Sequence, residues 1–266
     1  MRELNGSRVL LTGASGGIGR AIARALHARG CALVLSGRRV EALDQLAAEL
    51  GERVEVAPAD LSDAGEVEAL LERAGHVDVL VANAALPGSG RLESFSPEQL
   101  DRALDVNLRA PMHMAHALVP RMAERGSGHL VFISSISAKA VAGGGAVYSA
   151  TKAGVRAFAL GIRDDLHGTG VGVTTVFPGF ISDAGMWAEA GLELPGYVGT
   201  RTPEQVAAGV LKGIERDRAE VDVAPLAVRL SGVLGVVAPA LLSAAGRRAG
   251  SDQLARALAE AQRDKR

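Results

Sequence analysis

Apolar positions along this chain fall into two alternating patterns. Short runs of β-branched and aliphatic residues recur at Arg8–Thr12, Ala32–Ser36, Val54–Ala57, Val77–Ala82, His129–Ser134 and Val171–Phe177. Each run is nearly continuous in apolar character, which is how strands buried on both faces of a parallel sheet read. Between and after them, Ile18–Arg29, Val40–Leu50, Ser62–Ala74, Pro97–Glu124, Val147–His167 and Pro203–Arg216 carry apolar residues at helical spacing. Strand and helix alternating this regularly predict one α/β domain: a doubly wound parallel sheet with helices on both faces. Its crossovers should be right-handed. Helix punctuation agrees. Ser62 and Ser96 are expected N-caps, Pro97 follows the second at the first helical position, and Thr202-Pro203-Glu204-Gln205 has the form of a capping box.

Bulk properties narrow the classes of function. Apolar residues make up 48% of the 266 positions, which argues against disorder over most of the chain. Lys plus Arg (29) nearly balances Asp plus Glu (30), and aromatics are only 3%, so nucleic acid is not expected as a partner. The lone cysteine, Cys31, has no disulfide partner within the chain and reads as a small buried hydrophobe at a strand start; no metal site is expected. The first residues lack a signal-peptide layout, and the cytoplasm is the expected location.

Between the first strand and a clear helix lies Thr12-Gly13-Ala14-Ser15-Gly16-Gly17-Ile18-Gly19. A strand, a glycine loop and a helix N-terminus together present backbone N–H groups and the helix dipole to a pyrophosphate. After the second strand, where an acid would hold a ribose 2′-hydroxyl, the chain has Ser36-Gly37-Arg38-Arg39. Two guanidinium groups there suit a 2′-phosphate, so NADP(H) is the expected cofactor, with NAD(H) as the alternative.

Tyr148 and Lys152 lie four residues apart in a helical stretch and share a face. A nearby ammonium favours the phenolate, so the pair is expected to act as an acid/base unit with a lowered tyrosine pKa. Ser134 and Ser135 end the fifth strand, and Asn83 ends the fourth, at the sheet edge where α/β proteins bind ligands. Asn107 interrupts a long amphipathic helix, a poor position for Asn unless it has hydrogen-bonding work.

Taken together, Thr12-Gly-x-x-x-Gly17-x-Gly19, Asp60-Leu61, Asn83-Ala84-Ala85, Asn107, Ser135, Tyr148-x-x-x-Lys152 and Pro178-Gly179 resemble, in order, the short-chain dehydrogenase/reductases. The match covers about residues 4–223, and Tyr148 follows Ser135 by 13 residues, the family's usual interval. The resemblance implies a Rossmann-type fold and an NAD(P)-dependent oxidoreductase acting on a carbonyl/alcohol pair. It makes Tyr148 the general acid, Ser135 the donor to the carbonyl oxygen, and Lys152 the partner of the nicotinamide ribose. Asn107 would hold a water relaying protons from Lys152. The phosphate loop, with Gly13, Ser15, Gly17, Ile18 and Gly19, would hold the pyrophosphate. Arg38 and Arg39 would meet the 2′-phosphate, Asp60 and Leu61 the adenine, and Asn83, Ala84 and Ala85 the adenosine ribose. Pro178, Gly179 and Ile181 would touch the nicotinamide. The resemblance also implies a homodimer or homotetramer built on the two long helices. Two positions depart from the family pattern: Ala85 replaces a frequent Gly, and Asp183 stands where many members have Thr. Either Asp183 or Ser182 would then meet the nicotinamide amide.

Residues 1–224 are therefore expected to form the catalytic domain, with a substrate lid at about 183–200. That stretch carries Met186, Trp187, Leu192, Leu194 and Tyr197, which either meet a lipophilic ketone or β-keto acyl substrate or pack the lid onto its own domain. Residues 225–266 form an extension, strongly apolar at first and then charged. Short helices packed on the pocket or on a partner subunit are expected there, with peripheral membrane contact as the lesser reading. Two further functions remain at this stage: a non-catalytic NADP(H)-binding sensor or scaffold, and a membrane-associated lipid or steroid-type dehydrogenase.

Overall fold

The computed structural model describes residues 3–182, 199–248 and 251–262, with backbone alone at 251–255. Seven strands form one parallel sheet: β1 (Arg8–Thr12), β2 (Ala32–Ser36), β3 (Val54–Val56), β4 (Val79–Ala82), β5 (Gly128–Ile133), β6 (Val171–Pro178) and β7 (Glu220–Val223). Their spatial order is β3-β2-β1-β4-β5-β6-β7, so the winding reverses between β1 and β4. At such a reversal the connecting loops diverge and leave a crevice at the strands' carboxyl ends.

Period-two alternation divides the core into two layers. Val9 and Leu11 of β1 face one layer and pack with α1 (Gly17–Ala28), α2 (Val40–Leu50) and α7 (Pro203–Glu215). Leu10, from the same strand, faces the other layer, built on α3 (Ala64–Ala74), α5 (Ala110–Glu124) and α6 (Ala146–Asp165). Phe132 of β5 belongs to the second layer, edge-on to Phe158 at 5.8 Å between ring centroids. Cys31 is fully buried just before β2, its thiol donating to the Leu4 carbonyl, and burial pushes the thiol up to about 11.

Three features differ from the expected pattern. Strand β7 was not among the six expected runs because its residues alternate charged and apolar. Val221 and Val223 face the first layer, while Glu220 and Asp222 pair with Arg156 and Lys139. That is the signature of an edge strand with one dry face. Helix α3 starts at Ala64, two residues beyond the expected Ser62 start. Asp63 is its N-cap, accepting from Gly65 N and Glu66 N, whereas the Ser62 hydroxyl donates to Asp60. Finally, the helix expected over Pro97–Glu124 is three pieces. α4 (Pro97–Leu104) and α5 are joined by a π turn at Asp105–Arg109, with Asn107 at its centre. The capping boxes at Ser96/Gln99 and Thr202/Gln205 both form.

After β7 the chain runs through α8 (Leu226–Val237), α9 (Pro239–Arg248) and α10 (Ser251–Ala261). Among the described residues, no helix is long and apolar enough to cross a membrane.

The capping assignment is testable. Asp63→Ala should cost about 1 kcal/mol in urea unfolding by freeing two amides of α3. Ser62→Ala should cost less than half of that. Equal losses would return the cap to Ser62.

Candidate active site

The glycine loop is shaped by two close approaches. Gly13 has φ +64°, and a Cβ there would lie 2.8 Å from Ala84 Cα and 2.9 Å from Asn83 Nδ2. A Cβ on Gly19 would collide with the Gly13 carbonyl. Both positions therefore require glycine for space, and Gly13 also for conformation. Gly16 is the N-cap of α1 and supplies no side-chain acceptor, so Gly17 opens a helix whose first amides have no side-chain cap. An anion at this point would meet those amides and the positive end of the helix dipole.

Thr12 and Asn83 fix the loop to β4. The Thr12 hydroxyl accepts from Asn83 N (3.1 Å) and Ala84 N (3.2 Å). In return, Asn83 Nδ2 donates to the carbonyls of Thr12 (3.0 Å) and Gly13 (3.1 Å). The reading of Asn83 as a strand-end ligand is thus joined by a structural task. The role of Thr12, the first residue of the loop motif, is visible only once β1 and β4 are neighbours.

The arginines lie beside the same loop. Arg39 donates to the Ser15 carbonyl at 2.9 Å, and Arg38 is half exposed, 3.9 Å from Asp60. A Cβ on Gly37 would sit 3.2 Å from the Ser15 hydroxyl, so the turn after β2 closes onto the loop. Asp60 also pairs with Arg102 at 3.3 Å and accepts from the Ser62 amide and hydroxyl. Burial opposes its ionisation, yet the Ser62 bonds and the two guanidinium groups hold its carboxyl below the usual range. Leu61 is buried beside it. The acid is thereby answered by Arg38 and Arg102, and Arg39 adds a further positive charge.

The two serines after β5 have different tasks. Ser134 is buried and donates to the Lys152 carbonyl at 2.8 Å. Ser135 accepts from Ser137 N and lowers the Tyr148 pKa in part. Lys152 is almost fully buried, and its ammonium donates to the Ile133 carbonyl at 2.9 Å, 5.7 Å from the Tyr148 ring centroid. Burial lowers its pKa to about 8.

Tyr148 departs from expectation. Part of the residue opens on the cavity, but protein packed around its hydroxyl pushes the phenol up to about 12, against a smaller downward pull from Ser135. The expected lowering by Lys152 is absent because desolvation dominates and the ammonium is turned to Ile133. At neutral pH this phenol is firmly protonated.

Asn107 is buried and bonded to protein on both ends of its side chain. Its Oδ1 accepts from Leu86 N (2.7 Å), and its Nδ2 donates to the Leu86 carbonyl (3.0 Å) and Thr151 Oγ1 (3.3 Å). These bonds tie the π turn to the loop after β4. Widened turns of this kind recur at functional sites.

A cavity of about 420 Å³ gathers these elements. Ile18, Asn83 and Ala85 border one part, and Ser135, Tyr148 and Lys152 another. Pro178, Gly179 and Ile181 form a further wall; the Gly179 amide donates to the Val223 carbonyl, and Ile181 is buried. Ser182 bonds through its amide to Arg201. Asp183 and the expected lid residues Met186, Trp187, Leu192, Leu194 and Tyr197 lie outside the described residues. Leu258 and Gln262, near the end of the chain, also line the cavity. Nothing in their local sequence marks them for it; only the path of the C-terminal helices brings them there.

Comparison with known proteins agrees with this geometry. Residues 7–194 match the family model for short chain dehydrogenase. A ketoacyl reductase, HetN, of Nostoc sp. (strain PCC 7120) is 36% identical over 228 residues, 83% of this chain and 79% of that protein. Among solved structures, a short-chain dehydrogenase from Sphingobium yanoikuyae in complex with NADPH superposes with a TM-score of 0.77 at 29% identity, covering 88% of this chain and 95% of that one. The closed form of a serine dehydrogenase complexed with NADP+ gives 0.75 at 32% identity, covering 83% and 95%.

The buried ammonium makes a prediction about pH. With a folded pKa near 8 against 10.5 unfolded, Lys152 binds its proton less tightly when folded. Its contribution to stability is then fully present above the unfolded value and is lost as pH falls through the folded one. Relative to Lys152→Met, the wild-type protein should gain on the order of 3 kcal/mol in urea unfolding between about pH 8 and pH 10.5. A difference that stays flat across that window would show an ammonium with an ordinary pKa.

Proposed function

This chain belongs to the short-chain dehydrogenase/reductase family, and on that premise we propose that it reduces a lipophilic ketone or β-keto acyl compound at the expense of NADPH. One observation carries the reading. Ser135, Tyr148 and Lys152 line one cavity together, and Ser135 pulls the Tyr148 phenol's pKa down against the effect of burial.

The site fits a nicotinamide dinucleotide. The uncapped α1 N-terminus and the Cβ-free cradle at Gly13 suit a pyrophosphate pressed against backbone. Arg38 and Arg39 suit a 2′-phosphate, and the position just after β2 where an acid would hold a 2′-hydroxyl is Gly37. Ser15, Gly17, Ile18 and Gly19 would contact the phosphates. Asp60 and Leu61 would border the adenine, and Asn83, Ala84 and Ala85 its ribose. Pro178, Gly179 and Ile181 would bound the nicotinamide. NADP+ and NADPH in the neighbouring structures support the same choice. When bound, the cofactor supplies a hydride to the substrate carbon.

The remaining chemistry is proton handling. Tyr148, held protonated, donates its proton to the carbonyl oxygen as the carbon gains the hydride, giving the alcohol. Ser135 donates a hydrogen bond to the same oxygen and steadies its growing negative charge. Lys152 holds the ribose hydroxyls through donors beyond the one given to Ile133. Asn107 acts by holding the loop at Leu86 and the π turn in place, a positioning role. Ile133, Ile136, Ala140, Phe180, Ile181 and Leu258 give the cavity apolar walls, which favours a lipophilic substrate.

Two experiments test this. Tyr148→Phe should lower NADPH-dependent reduction of a ketone and keto-acyl thioester panel by at least about 10²-fold. NADPH affinity should stay within about threefold of wild type. Retained turnover would remove Tyr148 from the acid role, and NADPH binding with no turnover by the wild-type protein would point to a nucleotide sensor. Separately, the wild type should prefer NADPH to NADH, and Arg38→Ala should narrow that preference roughly tenfold. Equal wild-type affinities would defeat the 2′-phosphate assignment.

A further inference from the structure

Helix α8 is apolar on two sides. Its buried side seats it: Val228 packs at Gly179, and a Cβ on Gly232 would come within 3.0 Å of Ile136 Cδ1. Its outward side carries Leu226, Leu230, Val233 and Val237 at four-three-four spacing, which places them on one stripe. They are 68, 59, 62 and 77% exposed. Val236 on the same helix and Leu241 on α9 are exposed beside them. Isolated exposed apolar residues are ordinary, but a continuous stripe of this length marks a contact surface.

The charges say what meets it. From residue 223 to residue 251 there is no Asp or Glu; the charges are Arg229, Arg247 and Arg248. Arg229 lies 3.9 Å from Asp222, and Arg247 and Arg248 are exposed in the last turn of α9. A second copy docked through the same face would bring cations toward cations, with no acid in the segment to answer them. Anionic lipid answers both features at once: the acyl boundary receives the stripe and headgroup phosphates receive the arginines. Neither α8 (12 residues) nor α9 (10 residues) is long enough to span a bilayer, so the pair would lie in its plane.

We propose that the outward face of α8 and α9 docks on the surface of an anionic lipid bilayer. Because the buried side of α8 rests on Ile136 and Gly179, both of which line the cavity, docking sets the apolar cavity wall close to the lipid. The contact is independent of the proposed chemistry, since lipid binding is read without turnover.

The test is flotation of the full chain with phosphatidylcholine vesicles and with vesicles containing about one-third phosphatidylglycerol. The protein should float with the anionic vesicles and not with the neutral ones, and binding should weaken as salt is raised. Leu230→Glu with Val233→Glu should reduce the bound fraction about tenfold or more. Arg247→Gln with Arg248→Gln should also reduce it and flatten the salt dependence, and this exposed pair serves if the first variant loses its fold by circular dichroism. Failure to float with anionic vesicles, or binding untouched by both variants, overturns the proposal. So would a dimer, seen by light scattering, that Leu230→Glu splits while vesicle binding is absent; the face would then belong to a second copy.

Discussion

The site is organised by a reciprocal clasp between β5 and α6. The Lys152 ammonium donates to the Ile133 carbonyl, and the Ser134 hydroxyl donates to the Lys152 carbonyl. Both bonds are buried, where an unmade partner is costly. They fix the rotation and height of α6 against the strand end, and so bring Tyr148, one turn earlier, to the same cavity as Ser135. The reacting pair therefore depends on a lysine whose desolvation is tolerated because a strand-end carbonyl faces it.

A second clasp does the same for the phosphate loop. Thr12 and Asn83 exchange bonds across the point where the strand order reverses, and Gly13 passes through the gap between them. The loop is thereby tied to both strands that border the crevice. Beside it, Arg38 and Arg102 engage Asp60, so an acid that would oppose a polyanion is already neutralised.

Much of this was legible in the sequence, for identifiable reasons. Strands buried on both faces must be continuously apolar, which exposed six of the seven. β7 escaped because Glu220 and Asp222 point to ion pairs, breaking the run. The glycines, the Tyr148/Lys152 spacing and Asn107 were readable because each sits at a position where local geometry restricts the residue type. What stayed hidden depended on distant chain segments. The choice between Ser134 and Ser135 was made by α6, the true cap of α3 by the competing bond from Ser62 to Asp60, and the tyrosine's acidity by how much protein surrounds it. The π turn was foreshadowed by a polar residue in mid-helix, but its partner, Leu86, is reached only through the fold.

The cavity wall contributed by Leu258 and Gln262 comes from the last described helix, far along the chain from the sheet. During synthesis the amino-terminal part of a chain emerges and folds first. The strands, the phosphate loop and the Tyr148 region can all be in place while Leu258 and Gln262 are still inside the ribosome. A nascent chain would then hold its proton-transfer groups in an open trough. Enclosure of that trough would wait for α10 to emerge and dock, so that the chemistry is in place before its wall is.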